Sequence, residues 1–166
     1  MHIARLLRLL HAFEDSFLVL LLSTMITLAF TQIILRNFFD SGLSWIAPAL
    51  RLLVLWVGLV GAMIATRQEH HIAIDVLTRS VRLPERLKQT AQIFVELFTS
   101  LVTGIITYHA VRMVIMDREA QSIAFAGIPI WICELIIPAA FAIIALRYLL
   151  FALNHARQLF TPRVSL

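Results

Sequence analysis

Four apolar runs, almost free of charge, dominate the chain. Phe17 to Leu35 carries no charge, and Leu43 to Thr66 carries Arg51 alone. Ile93 to Val111 carries Glu96 alone, and Ile123 to Leu146 carries Glu134 alone. A membrane-spanning helix needs about 20 mainly apolar residues, and each run is of that order. No water reaches backbone N–H and C=O groups in lipid, so such runs must be helical. Their continuous apolar character excludes the alternating pattern of a transmembrane β-barrel. Composition agrees. Of 166 residues, 60% are hydrophobic and 14% charged, with a mean hydropathy of +0.88. A water-soluble core of this size cannot hide that much apolar surface. The expected fold is all-α: a polytopic membrane protein of one domain, residues 1–166, with spans near 17–35, 43–66, 93–115 and 123–147.

Basic residues set the expected orientation. Arg36, Arg51, Arg112 and Arg118 fall on one side, and the other ten of the 14 Lys and Arg residues fall on the side that holds both termini. Both termini are therefore expected in the cytoplasm. These charges are scattered between apolar blocks and mark topology; they do not form a nucleic-acid surface. The N-terminal stretch carries Arg5 and Arg8, followed by Glu14 and Asp15, with no small-x-small cleavage site after a short apolar core. It reads as a retained helix and not as a cleaved signal.

The longest connection, 67–88, interrupts the apolar pattern abruptly with Arg67, Gln68, Glu69, His70 and His71. Apolar residues then recur among charges at 75, 79, 82, 85, 86 and 88. A helix of this pattern lies in the membrane interface. Pro84 followed by Glu85 suits the first turn of the next helix.

Candidate chemistry is sparse. His70, His71 and Asp75 are too few to make a convincing metal site. Bis-histidine haem needs facing imidazoles at similar depth, and His109 alone lies well inside a span. The single cysteine, Cys133, gives no redox pair. A mid-bilayer charge costs roughly 2.5–3.5 kcal/mol on insertion scales, so Glu134 is a functional suspect. Pro129 and Trp131, however, suggest a helix start near Ile130. That places Glu134 near the headgroups, where it pairs with a donor of a neighbouring subunit. Glu96, one turn into the third span, reads the same way. No Gly-x-Ser-x-Gly or His-Glu-x-x-His motif occurs, and no enzyme activity is expected. Gly58 and Gly61, with Ala62 and Ala65, form a small-residue stripe that would let another helix approach closely.

In order and spacing, Arg36, Trp45, Arg51, Trp56, Gly61, Ala62, Arg67, His71, Ile72 and Asp75 form a pattern, closed by Ile128, Pro129, Trp131 and Pro138. It resembles the small membrane subunit, DctQ-like, of tripartite ATP-independent periplasmic (TRAP) transporters. The four-span layout carries the resemblance over essentially the whole chain. One departure is the lack of an acidic residue after Trp45, where Ile46, Ala47, Pro48 and Ala49 follow; Arg51 is then expected to pair with a partner chain or with Asp40.

The resemblance implies a scaffold subunit in the bacterial inner membrane, part of a sodium-coupled symporter that imports an organic acid. It implies two protein partners: a large membrane subunit, bound as a heterodimer, and a periplasmic substrate-binding protein that the small subunit helps to dock. No cofactor is expected on this chain, and sodium is expected on the large subunit. Arg36, Trp45, Arg51, Trp56, Gly58, Gly61, Arg67, His71, Asp75, Trp131 and Glu134 are the candidate interface or anchor residues. Two other readings are a small self-assembling exporter built on Glu134 and a haem-binding membrane anchor built on His109.

Overall fold

A computed structural model describes residues 2–39, 42–67, 85–125 and 127–160. Helix α1 (His2–Phe38) has 37 residues, α2 (Ile46–Ala65) has 20 and α3 (Glu85–Glu119) has 35. A hairpin of β1 (Ile123–Phe125) and β2 (Ile128–Pro129) follows, then the short α4 (Ile130–Glu134) and α5 (Ile136–Phe160). Four helical stretches are long and apolar enough to cross a membrane: His11–Phe38, Ile46–Ala65, Leu87–Glu119 and Ile130–Arg157. The interfacial reading of residues 67–88 falls almost wholly outside the described residues.

Local chemistry explains the boundaries. In α2, Pro48 sits in the first turn, where a missing N–H costs nothing. The helix closes with Thr66 N–H on the Ala62 carbonyl at 3.2 Å and Arg67 N–H on the Ile64 carbonyl at 3.0 Å. The fourth apolar run enters helix only at Ile130, because Ile123–Phe125 and Ile128–Pro129 pair as an antiparallel hairpin, with Ile123 opposite Pro129. Gly127 turns it at φ +79°, a conformation open to glycine. Helix then breaks at Leu135, between α4 and α5. Pro138 is the cause: it has no N–H to offer the Glu134 carbonyl.

The spans stand in a row, α1–α2–α5–α3, where α1 packs on α2, α2 on α5, and α5 most extensively on α3. The short α4 leans on α3. On α3 the buried positions are Glu96, Thr103, Ala110 and Val114, spaced seven, seven and four. On α5, which packs on α3, the buried residues include the small or branched Ala140, Ile144 and Ala152, side chains suited to a seam between two packed helices. A row leaves most surface outward. Only 6% of the α1 span and 11% of the α3 span are buried, against 22% for the two central spans. Thr24, Thr27, Thr31, Thr99 and Thr107 each return their hydroxyl to the carbonyl four residues back. These threonine hydroxyls inside the spans are thus satisfied within their own helices.

Candidate functional site

The helix ends that gather the start of α1, the end of α2, the start of α3 and the end of α5 carry two polar clusters. The first is centred on Glu14, which is 9% exposed. Arg67 donates to Glu14 Oε2 at 2.6 Å through Nε, to the Asp15 carboxylate at 2.7 Å and to the His11 carbonyl at 3.0 Å. Arg147 of α5 donates to Glu14 Oε1 at 2.8 Å and also to the Met63 carbonyl. Thr66 Oγ1 accepts from the same arginine at 3.3 Å and donates to the Met63 carbonyl at 2.8 Å. One carboxylate thus faces two guanidiniums and ties α1, α2 and α5 together. Forked arginine donors suit such a junction better than a lysine point charge.

The second cluster joins α3 to α5. Glu96 is fully buried, with His155 Nδ1 at 3.0 Å from its Oε1. The Gln92 amide nitrogen donates to Glu96 Oε1 at 3.3 Å and lies 3.3 Å from His155 Nε2. This corrects the expectation that Glu96 pairs with a neighbouring subunit: its acidic oxygens are engaged within the chain. The His155 position was hidden because α5 runs to Phe160, well past Leu146, where the apolar run ends.

Further along the row, the Trp56 indole N–H donates to the Cys133 carbonyl at 2.9 Å and its ring meets Phe17 at 6.3 Å. Trp56 therefore latches α2 to α4 from mid-span. Near the hairpin, Arg118 lies over Trp131 at 5.8 Å, a cation–π arrangement. Glu134 lies against Asp117, and its Oε2 is enclosed without a hydrogen-bond partner among the described residues.

Other candidate residues point away from the row. Arg51 and Gly58 are exposed, as are Leu55, Ala62 and Ala65, all on one side of α2. A Cβ added at Gly58 or Gly61 would meet nothing within 4 Å. The close helix approach expected there is made by no helix of this chain among the described residues. Arg36 is exposed in the last turn of α1, and Trp45, 39% exposed, precedes α2. His109 is exposed on α3, edge-on to Tyr108 at 5.3 Å. His71, Asp75 and the suggested Asp40 partner of Arg51 lie outside the described residues. Among the described residues no group of three His, Cys, Asp or Glu side chains is placed to hold a metal ion.

The arrangement is a set of internal latches with outward apolar faces. The family model described as "Tripartite ATP-independent periplasmic transporters, DctQ component" matches residues 25–158. The chain belongs to this family. It is therefore a TRAP small permease subunit, a multi-pass membrane protein from a family of transporter components and not of enzymes. Among curated relatives it is similar to the sialic acid TRAP transporter permease protein SiaT of Haemophilus influenzae (strain 86-028NP). The two are 31% identical over 81 residues, covering 49% of this chain and 13% of SiaT. It is also similar to the ectoine TRAP transporter small permease protein TeaB of Halomonas elongata. There the identity is 27% over 106 residues, 63% of this chain and 54% of TeaB. The matches thus span about an eighth of one relative and about half of the other.

Proposed function

We propose that this DctQ-family chain is the scaffold subunit of a sodium-coupled importer of an organic acid in the bacterial inner membrane, with both termini cytoplasmic. It forms a heterodimer with a large membrane subunit, which holds the sodium and solute sites. It also helps to dock a periplasmic substrate-binding protein. The observation that carries this reading is the row of helices: even the central spans bury only 22% of their residues, so the chain keeps broad apolar faces for other molecules. Helix α2 supplies the docking face, with Gly58, Ala62 and Ala65 admitting a close helix and Arg51 near its start. The excess of basic residues at the Arg67 end supports its cytoplasmic placement. SiaT is named a permease and this chain matches 13% of it, which supports a small module working beside a larger transport body. The two relatives are named for different solutes, in line with specificity residing in other subunits.

Co-purification tests the docking face. Gly58→Leu meets no atom of this chain, so its unfolding in detergent should match wild type within about 0.5 kcal/mol, the usual range for surface changes. Capture of the large subunit should fall sharply, because bulk at a close helix contact prevents approach. Wild-type yield of the large subunit on Gly58→Leu and Gly61→Leu alike refutes this face.

A further inference from the structure

We propose that the notch between the end of α1 and the start of α2 binds the headgroup of a membrane phospholipid, with its phosphate on Arg36 and a hydrogen-bond donor of the headgroup on Gln32. The notch is a cavity of about 410 Å³ lined by Gln32, Arg36, Gly42, Leu43, Ser44 and Ala47. That is the size of a small-ligand pocket. Two polar side chains in it have unmet needs. Gln32 Oε1 is enclosed and accepts no hydrogen bond among the described residues, and a buried acceptor of this kind calls for a donor. Arg36, one helical turn on, is exposed and has no ionic partner among the described residues. Its planar fork suits the two free oxygens of a phosphodiester. The Ser44 hydroxyl in the wall offers one further donor.

Depth and surroundings select a lipid. Arg36 lies in the last turn of α1, at the end of the apolar stretch His11–Phe38, where headgroups sit. Phe38 and Phe39 are 76% and 70% exposed, and Trp45 is 39% exposed. Aromatic rings of this kind collect at the membrane–water boundary. The floor depends on a glycine. A Cβ at Gly42 would stand 3.0 Å from Gln32 Nε2, so any larger residue there crowds the amide. A phosphate for Arg36 and a donor for Gln32 are supplied together by phosphatidylethanolamine, through its ammonium, and by phosphatidylglycerol, through its hydroxyls. Phosphatidylcholine brings the phosphate without an N–H or O–H donor.

Native mass spectrometry of the full chain, delipidated in detergent and titrated with each lipid and with inorganic phosphate, tests the site. Wild type should bind one phosphatidylethanolamine or phosphatidylglycerol about tenfold more tightly than phosphatidylcholine, the scale of a lost charge-assisted or buried hydrogen bond. Arg36→Gln should weaken binding of all three lipids by about tenfold or more. Gln32→Leu should abolish the preference over phosphatidylcholine while leaving a phosphate-dependent remainder. Gly42→Val fills the notch without removing either polar group and should displace the lipid; it carries the test if Arg36→Gln does not fold. Equal binding of all three lipids to wild type, or wild-type binding by Gly42→Val, overturns the proposal. Displacement by millimolar inorganic phosphate overturns it in favour of a free-anion site.

Discussion

Neutralising Glu14 tests how the row is held. Its two oxygens face different arginines, Arg67 at 2.6 Å and Arg147 at 2.8 Å, and the three side chains are 11%, 11% and 19% exposed. Glu14→Gln keeps one acceptor but turns an NH₂ toward a guanidinium, and it leaves two enclosed cations without their shared counter-charge. Asp15 still pairs with Arg67, but its side chain is 59% exposed, so it compensates little. Arg147 keeps only its bonds to the Met63 carbonyl and Thr66. Removing one member of a buried pair costs about 3–5 kcal/mol. Reversible unfolding by sodium dodecyl sulfate in mixed micelles, followed by circular dichroism, measures the loss directly. Pairing Glu14→Gln with Arg147→Met removes one of the two stranded charges and should recover part of the loss, giving a coupling of about 1–3 kcal/mol between the two sites. A Glu14→Gln variant within about 0.5 kcal/mol of wild type, or additive effects of the two changes, refutes the clamp.

The α3–α5 seam should respond in the same direction. Glu96→Ala strands Gln92 and His155, which face it at 3.3 and 3.0 Å, and should lower stability in the same titration by about 1–3 kcal/mol; a neutral effect counts against the seam. At the hairpin end, Glu134→Gln can still hydrogen-bond Asp117 and should leave solute uptake by the assembled transporter mostly intact. Loss of uptake with assembly preserved would move Glu134 from structure to ion handling and revive the exporter-like reading of that carboxylate.

The apolar runs made the class of fold legible, because a bilayer permits few solutions for such sequences. Boundaries were harder. Charges end an apolar run sooner than they end a helix, so α1 begins at His2 and α3 at Glu85, beyond the runs that start at Phe17 and Ile93. Conversely, the fourth apolar run begins at Ile123, but β1 and β2 occupy its start and helix begins at Ile130, the start that Pro129 and Trp131 signal in the sequence. The Glu14–Arg67 pair had a signal: opposite charges flank the two arms of an α1–α2 helical hairpin at similar depth. Arg147 carried no such mark, because the pairing of α2 with α5 is set by tertiary packing. The Glu96–His155 contact needed both the α3–α5 register and the true end of α5.

The placement of polar groups explains how so small an internal core can hold. Helices in lipid gain little from hiding apolar surface against one another, because the surrounding chains are equally apolar. Directional bonds must therefore fix their relative depth. This chain places them at separate heights: Arg67–Glu14–Arg147 and Gln92–Glu96–His155 toward one end, and Trp56 on the Cys133 carbonyl further along. Contacts at different heights resist both sliding and tilting, which a single one would not. With depth and tilt set by polar latches, the apolar faces of α1, α2 and α3 need not hold the fold together. They remain exposed on the outside of the row, as the proposed scaffold role requires.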